Sequence, residues 1–253
     1  MARVLKFFIW VLALVLIVPQ QKADAQNAAE IIERMEEAMR GESSEAEMKM
    51  TIERPRYTRE ISMKAWALGE EFSLILITAP ARDQGTTYLK RSDEIWNYVP
   101  NIDRTIKMPP SMMSQSWMGS DFSNDDLVRE SSTIEDYEHS VLREEEYNGR
   151  NAWVLELIPK PDTPIVWGKV LMWVDQEHYI ALKEENYDQR DELANTILFS
   201  EIGEMGGRVF PSKLTLIPAD KPEQKTIMEY QSLQFDIEID ESFFTQQNMR
   251  RVR

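Results

Sequence analysis

The sequence predicts a mainly β protein of the α+β class, in which an antiparallel sheet is coiled strongly enough to make a partly open barrel. Runs with the two-residue hydrophobic period of half-buried strands fill most of the chain after residue 47. Turn signals such as Asp175-Gln176-Glu177 and Gly206-Gly207 join these runs into hairpins. About ten strands in one meander exceed what a flat sheet tolerates, so the sheet should curl.

The first element is a predicted Sec-type signal peptide at residues 1–25. Arg3 and Lys6 precede an apolar run, and Ala23-Asp24-Ala25 offers a cleavage site of small residues. A membrane anchor is the alternative, but the apolar run is shorter than the roughly 20 residues that a transmembrane helix needs. We therefore expect a periplasmic protein that has no stable insertion in the membrane after the signal peptide is cleaved.

The mature chain, residues 26–253, is expected to form a single domain because no Gly/Ser-rich or Pro-rich linker divides it. The chain has no cysteine, which excludes both a disulfide framework and a lipoprotein anchor on an acylated cysteine. Removing the signal peptide takes away three basic residues and one acidic residue, so the formal charge moves from −15 to −17. Such a chain is poorly suited to nucleic acid, which attracts clustered Lys and Arg.

A helix is predicted at Asn27–Arg40, with Asn27 as its cap, Glu30 in capping-box spacing and Gly41 as its end. Its apolar residues share one face, which indicates a helix laid over an apolar surface. A second, shorter helix is predicted at Ser123–Ser131. The predicted strands lie at residues 48–52, 61–65, 72–78, 88–90, 94–99, 104–108, 140–146, 152–159, 168–174, 180–187, 194–202, 208–217 and 225–235.

Residues 108–129, which we call the Met-rich segment, interrupt the strands with four methionines, a tryptophan and a phenylalanine. Methionine is unbranched and polarizable, so such a surface can repack around ligands of varied shape. We interpret the segment as a lid over an apolar cavity, and an ordinary Met-rich core loop is the alternative. The expected cavity and lid residues are Met108, Met112, Met113, Trp117, Met118, Phe122, Trp96 and Met172. If the segment is a lid, Met113→Asp and Trp117→Asp should abolish cargo binding and leave thermal stability largely intact.

Motifs for catalysis are missing from the sequence: it has no G-x-S-x-G elbow, no H-E-x-x-H pair, no P-loop and no cysteine. The two histidines, His139 and His178, fall in polar stretches and are expected to be solvated side chains. Asp121, Ser123 and Asp125 have the spacing that begins a calcium loop, but the turn glycine is missing and helix capping explains them better. We therefore predict no catalytic residue, metal ion or cofactor.

Four dispersed motifs carry a family resemblance that covers most of the mature chain. They are MGSDFSNDDLVRES, LMWVDQEHYIALKEENYD, GGRVFPSKLTLIP and IDESFFTQQNMRR. In this order they resemble the LolA-like outer-membrane lipoprotein-sorting proteins. The resemblance implies a half-open, strongly curved antiparallel sheet whose concave apolar face is covered by helices. It also implies that the Met-rich segment is a mobile cover, and that an arginine on an early strand latches it, for which Arg54, Arg56 and Arg59 are the candidates.

The function that this resemblance implies is a periplasmic carrier of lipoprotein acyl chains or lipid. An inner-membrane transporter of the RND/MmpL or ABC type would be the donor, and the outer membrane would hold the acceptor. An RseB-like sensor that binds acyl chains and signals to a membrane partner is the alternative, although such a sensor should append a second domain. An enzyme is a third and weaker hypothesis. The sequence does not identify the cargo, the direction of transfer or the oligomeric state.

Overall fold

The computed structural model describes residues 20–92, 94–129, 133–161, 163 and 165–252. Residues 1–19 of the predicted signal peptide therefore lie outside the described residues, and positions 20–25 form the start of the first helix. In the described part of the chain, no helix is both long enough and apolar enough to cross a membrane.

In the described residues, thirteen antiparallel strands form one sheet, and each of the thirteen predicted runs corresponds to one strand. The expectation of about ten strands was therefore too low. The strands are β1 Ser43–Arg54, β2 Tyr57–Leu68, β3 Phe72–Ala79, β4 Thr87–Arg91, β5 Glu94–Val99, β6 Arg104–Lys107, β7 Tyr137–Tyr147, β8 Arg150–Pro159, β9 Lys169–Asp175, β10 Ala181–Tyr187, β11 Leu193–Met205, β12 Arg208–Pro218 and β13 Lys225–Phe235.

The order of the strands explains how the sheet stays half open. Strands β1 to β6 run outward on one side as a meander, and β7 to β13 return on the other, so that β1 pairs with β13 in the middle. The two edges are β6 and β7. Residues 108–136 connect these edges, so the Met-rich segment joins the two sides of the curved sheet. The predicted half-open antiparallel barrel is confirmed.

Helix α1, Gln20–Arg40, covers one half of the inner face of this sheet. Ile31, Ile32 and Met35 are buried against residues of β8 and β9. The helix ends as predicted at Gly41, whose φ is +69° and whose N–H donates to the carbonyl oxygen of Glu37 at 3.0 Å. The prediction that Asn27 caps the helix is wrong, because the helix begins seven residues earlier.

The C-terminal residues cover the outer face of the sheet with a short helix, α2, Gln246–Met249. Phe244 and Met249 are buried together with aromatic and leucine side chains of β2 to β5. On β3, side chains alternate between this outer cluster and the inner face, which carries Ile75 and Ile77. Both faces of this part of the sheet are therefore apolar because each face packs against a different element.

Candidate functional site

A cavity of about 420 Å³ lies between the inner face of the sheet, α1 and the Met-rich segment. Its volume falls within the roughly 300–1,000 Å³ that is usual for small-molecule sites. Its apolar lining includes Met35, Met39, Ala46, Met48, Met63, Ala65, Ile75, Trp117, Phe122, Leu127, Leu157, Val170, Met172, Ala181, Ile197, Phe199, Phe210, Leu214, Met228, Tyr230 and Leu233. Because the lining comes from almost every element, the curvature of the sheet creates the cavity.

The Met-rich segment has its own hydrogen-bonded structure. The Trp117 N–H donates to the carbonyl oxygen of Phe122 at 2.8 Å, and the Asn124 N–H donates to that of Gln115 at 2.9 Å. The turn between them places Met118 at φ +51° and Gly119 at φ +82°. Residues 115–124 therefore form a small hairpin, the Met-rich hairpin, which holds the side chains of residues 117 and 122 at the cavity wall.

A helical turn follows this hairpin, within the helix predicted at residues 123–131. Asp125–Arg129 form a single π-helical turn, and residues 130–132 lie outside the described residues. Ser123 and Asp126 form a capping box at the start of this turn. The Asp126 N–H donates to Ser123 Oγ at 3.1 Å, and the Ser123 N–H donates to Asp126 Oδ2 at 2.7 Å.

The methionines of the segment lie behind this wall, within a cluster that also holds residues of β1 to β3. Met113 is 6% exposed and Trp117 is fully buried, with its ring centroid 5.4 Å from that of Tyr88. Aspartate at position 113 or 117 would place a carboxylate in this apolar cluster, so both variants should lose stability. The burial of both side chains argues against the expectation that these variants leave stability intact, since the segment is part of the core as well as a cavity wall.

The residues predicted for the cavity and lid fall in three places. Trp117, Phe122 and Met172 line the cavity. Met108, Met112, Met113 and Met118 pack in the cluster behind it. Trp96 belongs to the outer cluster with Phe244 and Met249, so we leave it out of the proposed binding surface.

Two of the three candidate arginines contact the Met-rich segment. Arg54 on β1 forms a bidentate ion pair with Asp121, with Nη1 2.9 Å from Oδ2 and Nη2 3.0 Å from Oδ1. Arg59 on β2 donates from Nη1 to the carbonyl oxygen of Met118 at 2.8 Å. Arg56 lies exposed in the β1–β2 turn. The hairpin is thus fixed to the first two strands by charge-assisted hydrogen bonds.

The ion pair of Arg54 with Asp121 is held further by β13. Thr226 on this strand is fully buried, and its hydroxyl donates to Asp121 Oδ2 at 2.7 Å. The Asp121 N–H donates in turn to Thr226 Oγ1 at 3.0 Å. Both charged side chains are only about one-tenth exposed, at 12% and 11%. Asp121 is therefore a fixed anchor of the hairpin rather than a solvated acid.

One end of the cavity is polar, which the sequence interpretation missed. Glu184 and Asn186 on β10 line it beside Asp126 of the Met-rich segment. Burial raises the pKa of Glu184 to about 7, against the opposing hydrogen bond from Asn186. Burial also raises the pKa of Asp126, although Ser123 stabilises its carboxylate. Glu184 pairs with Met172, a predicted cavity residue, and Asn186 pairs with Val170, so the register places both polar residues on the cavity face.

The histidines have local structural contacts. His139 Nε2 lies 2.7 Å from the carbonyl oxygen of Thr133, and His178 Nδ1 lies 3.1 Å from Asp175 Oδ2 in the β9–β10 turn. Among the described residues, no group of three or more His, Cys, Asp or Glu side chains is placed to hold a metal ion.

Comparisons with known proteins place this architecture in a family. A family model described as "Uncharacterized protein" matches residues 69–251, which is more than half of the chain. No curated protein matches the chain. Among solved structures, a domain described as an outer membrane lipoprotein-sorting protein, from Vibrio parahaemolyticus, is 26% identical, with a TM-score of 0.80. That match covers 90% of this chain and 100% of the other.

Two further structures show the same fold at lower identity. A DUF1329 family protein from Desulfovibrio piger is 22% identical with a TM-score of 0.79, and the match covers 89% of this chain and 99% of that one. A LolA superfamily protein from Nitrosomonas europaea is 23% identical with a TM-score of 0.75, covering 87% and 98%. With its curved half-open sheet and lined cavity, the chain belongs to the family of the matched model, and its fold is similar to that of the lipoprotein-sorting domain and of the LolA superfamily protein.

Proposed function

We propose that this protein is a periplasmic carrier that holds the acyl chains of lipoproteins or lipids in its cavity and moves them between the inner and outer membranes. The single observation that carries the proposal is the apolar cavity between the sheet, α1 and the Met-rich segment. The likeness to a lipoprotein-sorting domain supports it.

The physical need for such a carrier follows from hydrocarbon solubility. Burying each methylene contributes about 0.8 kcal/mol, so a long acyl chain leaves a membrane slowly without help. A cavity walled by Met48, Met63 and Met172 offers comparable apolar burial, and methionine side chains adapt to chains of different length. Adaptable contacts suit a carrier because the cargo has to leave again at the acceptor.

The Met-rich hairpin is the proposed gate of this carrier. Arg54 and Arg59 are the proposed latches, because each ties the hairpin to a strand through hydrogen bonds that can re-form after opening. Residues 108–136 join the two sheet edges, so movement of this connection changes access to the cavity without breaking a pair of neighbouring strands.

The proposed partners follow from the carrier role. An inner-membrane transporter of the RND/MmpL or ABC type would load the cargo, and an outer-membrane acceptor would receive it. A signal peptide at residues 1–25 would bring the chain to the periplasm.

Native mass spectrometry of the mature protein tests the proposal. We expect a lipid to co-purify, to be removed by delipidation and to be taken up again from donor vesicles and delivered to acceptor vesicles. A protein that purifies without lipid and takes up none from vesicles would overturn the carrier. A ligand-free protein that instead captures a membrane-bound regulator would favour a sensor.

A cavity-filling variant makes the test specific to the cavity. Ala65 lines it, so Ala65→Trp should fill the space and abolish lipid uptake, with little strain because the added ring enters empty volume. Ala219 lies exposed in the β12–β13 turn, so Ala219→Trp is the matched control and should bind lipid normally. Equal uptake by both variants would show that lipid binds elsewhere.

A further inference from the structure

The polar end of the cavity contains a buried acceptor that no group of the described residues satisfies. Asn186 is 1% exposed, and its Nδ2 donates to Glu184 Oε1 at 2.7 Å and to Asn195 Oδ1 at 3.0 Å. These two bonds orient the amide, and they leave Asn186 Oδ1 with no hydrogen-bond partner. Because an unsatisfied buried acceptor costs free energy, the site favours a ligand that brings a donor.

The cavity that holds this acceptor has more acidic than basic side chains in its described lining. Glu36, Asp125, Asp126 and Glu184 line the same cavity. Arg40 is the one basic side chain among the described lining residues, and its Nη1 lies 3.5 Å from Glu70 Oε1. The electrostatic potential in the cavity therefore favours binding of a cationic ligand group and opposes binding of an anionic one.

We propose that this end of the cavity binds the protonated amine head of an amphiphile, whose hydrocarbon tail lies along the apolar lining beside Ala65 and Ile75. The proposal rests on the proposed carrier function and names the class of its cargo. An ammonium group brings three donors and no acceptor. It satisfies Asn186 Oδ1 and the carboxylate of Glu184 together, which an alcohol or a carboxylate head cannot do.

The ionisation of Glu184 makes this recognition depend on pH. Burial raises the pKa of this carboxyl to about 7, and the nearby carboxylate of Asp126 acts in the same direction. Tyr137 on β7 faces the same carboxylates, and α1 contributes Glu36 and Arg40. An ammonium group binds the ionised form of Glu184 best, so amine affinity should rise as the pH passes from about 6 to about 8.

Binding of dodecylamine, dodecanol and dodecanoate to the delipidated mature protein tests the proposal by titration calorimetry. At about pH 8 we expect dodecylamine to bind at least about tenfold more tightly than the other two, which is the range of one hydrogen bond to a charged group. Lowering the pH to about 6 should reduce this preference. Glu184→Gln should remove most of the preference and its pH dependence, and the exposed control Glu192→Gln should retain both.

The outcomes separate this proposal from the carrier function itself. Equal affinity for the three head groups, or a preference for dodecanoate, would overturn amine recognition and leave an unselective acyl carrier. Binding of none of the three would overturn the carrier function. An unchanged preference in Glu184→Gln would also overturn the proposal. If that variant does not fold, the affinities of the wild-type protein for the three ligands at the two pH values still test the proposal.

Discussion

At the scale of single residues, the ion pair between Arg54 and Asp121 depends on the shape of the guanidinium as well as on its charge. Two parallel hydrogen bonds join the side chains, and a lysine can make only one of them. Arg54→Lys should therefore loosen the hairpin without unfolding the protein. We expect amide hydrogen exchange in residues 113–124 to become about tenfold faster, which corresponds to about 1.4 kcal/mol of local stability.

Arg56→Lys is the control for this prediction. Arg56 lies exposed in the turn after β1, so its substitution should leave exchange in the hairpin unchanged. Equal protection of the hairpin in both variants would show that the pair with Asp121 does not hold the segment.

The turn of the hairpin gives a second prediction at this scale. Gly119 has φ +82°, a conformation that residues with a Cβ rarely adopt. The nearest atom to an added Cβ is Arg59 Nη1 at 3.8 Å, so the cost of Gly119→Ala comes from backbone strain rather than from a clash. We expect a loss of about 1 kcal/mol in the free energy of unfolding, measured in urea.

Gly203 on β11 provides the matched substitution. It has no left-handed φ, and no atom lies within 4 Å of an added Cβ. Gly203→Ala should therefore leave stability unchanged or raise it slightly. If Gly203→Ala lost as much free energy of unfolding as Gly119→Ala, the cost would come from replacing glycine itself and not from the left-handed turn.

At the scale of elements, the strands were predictable because their signal is local. The alternation of Met48, Met50 and Ile52 with polar residues marks β1, and the same two-residue period marks most other strands. The pairing of β1 with β13 was not predictable, since it joins residues about 180 positions apart and has no local signal. The Met-rich segment was recognised from composition, but composition does not reveal that Met113 is core.

The C-terminal segment was not predicted by the two-residue hydrophobic period that identifies the strands. Residues 236–252 have too little regular structure for a periodic pattern, and yet they bury the outer face of β2 to β5. Trp96 was assigned to the cavity for the same reason, because the sequence shows that it lies on a strand but not which face a C-terminal segment will cover. The polar end of the cavity was missed because Glu184 and Asn186 become neighbours of Asp126 only after the sheet curls.

Phe244 tests whether the C-terminal segment stabilises the sheet. Its side chain is fully buried, with its ring centroid 5.7 Å from that of Phe72 and 5.3 Å from that of Phe243. Phe244→Ala should cost about 3–5 kcal/mol in urea unfolding because it removes a buried ring and leaves a cavity. Tyr57→Ala removes an aromatic side chain that is 57% exposed and should cost far less. Similar losses would mean that the segment packs only loosely.

At the scale of the whole molecule, the topology separates the paired strands from the connection that carries the proposed gate. The chain closes the middle of its sheet through β1 and β13, and it leaves its free edges at β6 and β7. The Met-rich segment lies in the connection between these edges, while α1 and the C-terminal segment cover the remaining faces. The proposed gate can therefore open without breaking the strand pairs that hold the sheet together.

The acids that this architecture encloses should make the stability of the whole protein depend on pH. Burial raises the pKa of Glu184 from 4.5 to about 7, and it also raises the pKa values of Asp126 and Glu36. A carboxyl whose pKa is higher in the folded state favours folding most while it is protonated. Its contribution is complete below the pKa of the unfolded chain, and it is lost as the pH rises through the folded value.

We therefore expect the free energy of unfolding to fall between about pH 4.5 and pH 7, by on the order of 2 kcal/mol for Glu184. Urea titrations at several pH values measure this change. Repulsion within a chain of formal charge −15 also lowers the free energy of unfolding as the pH rises. The wild-type curve alone therefore does not show which effect makes stability fall. Glu184→Gln separates the two effects, because it should flatten the fall, whereas the exposed Glu192→Gln removes an equal charge and should leave it in place. Parallel curves for the two variants would assign the pH dependence to overall charge rather than to the enclosed carboxyl.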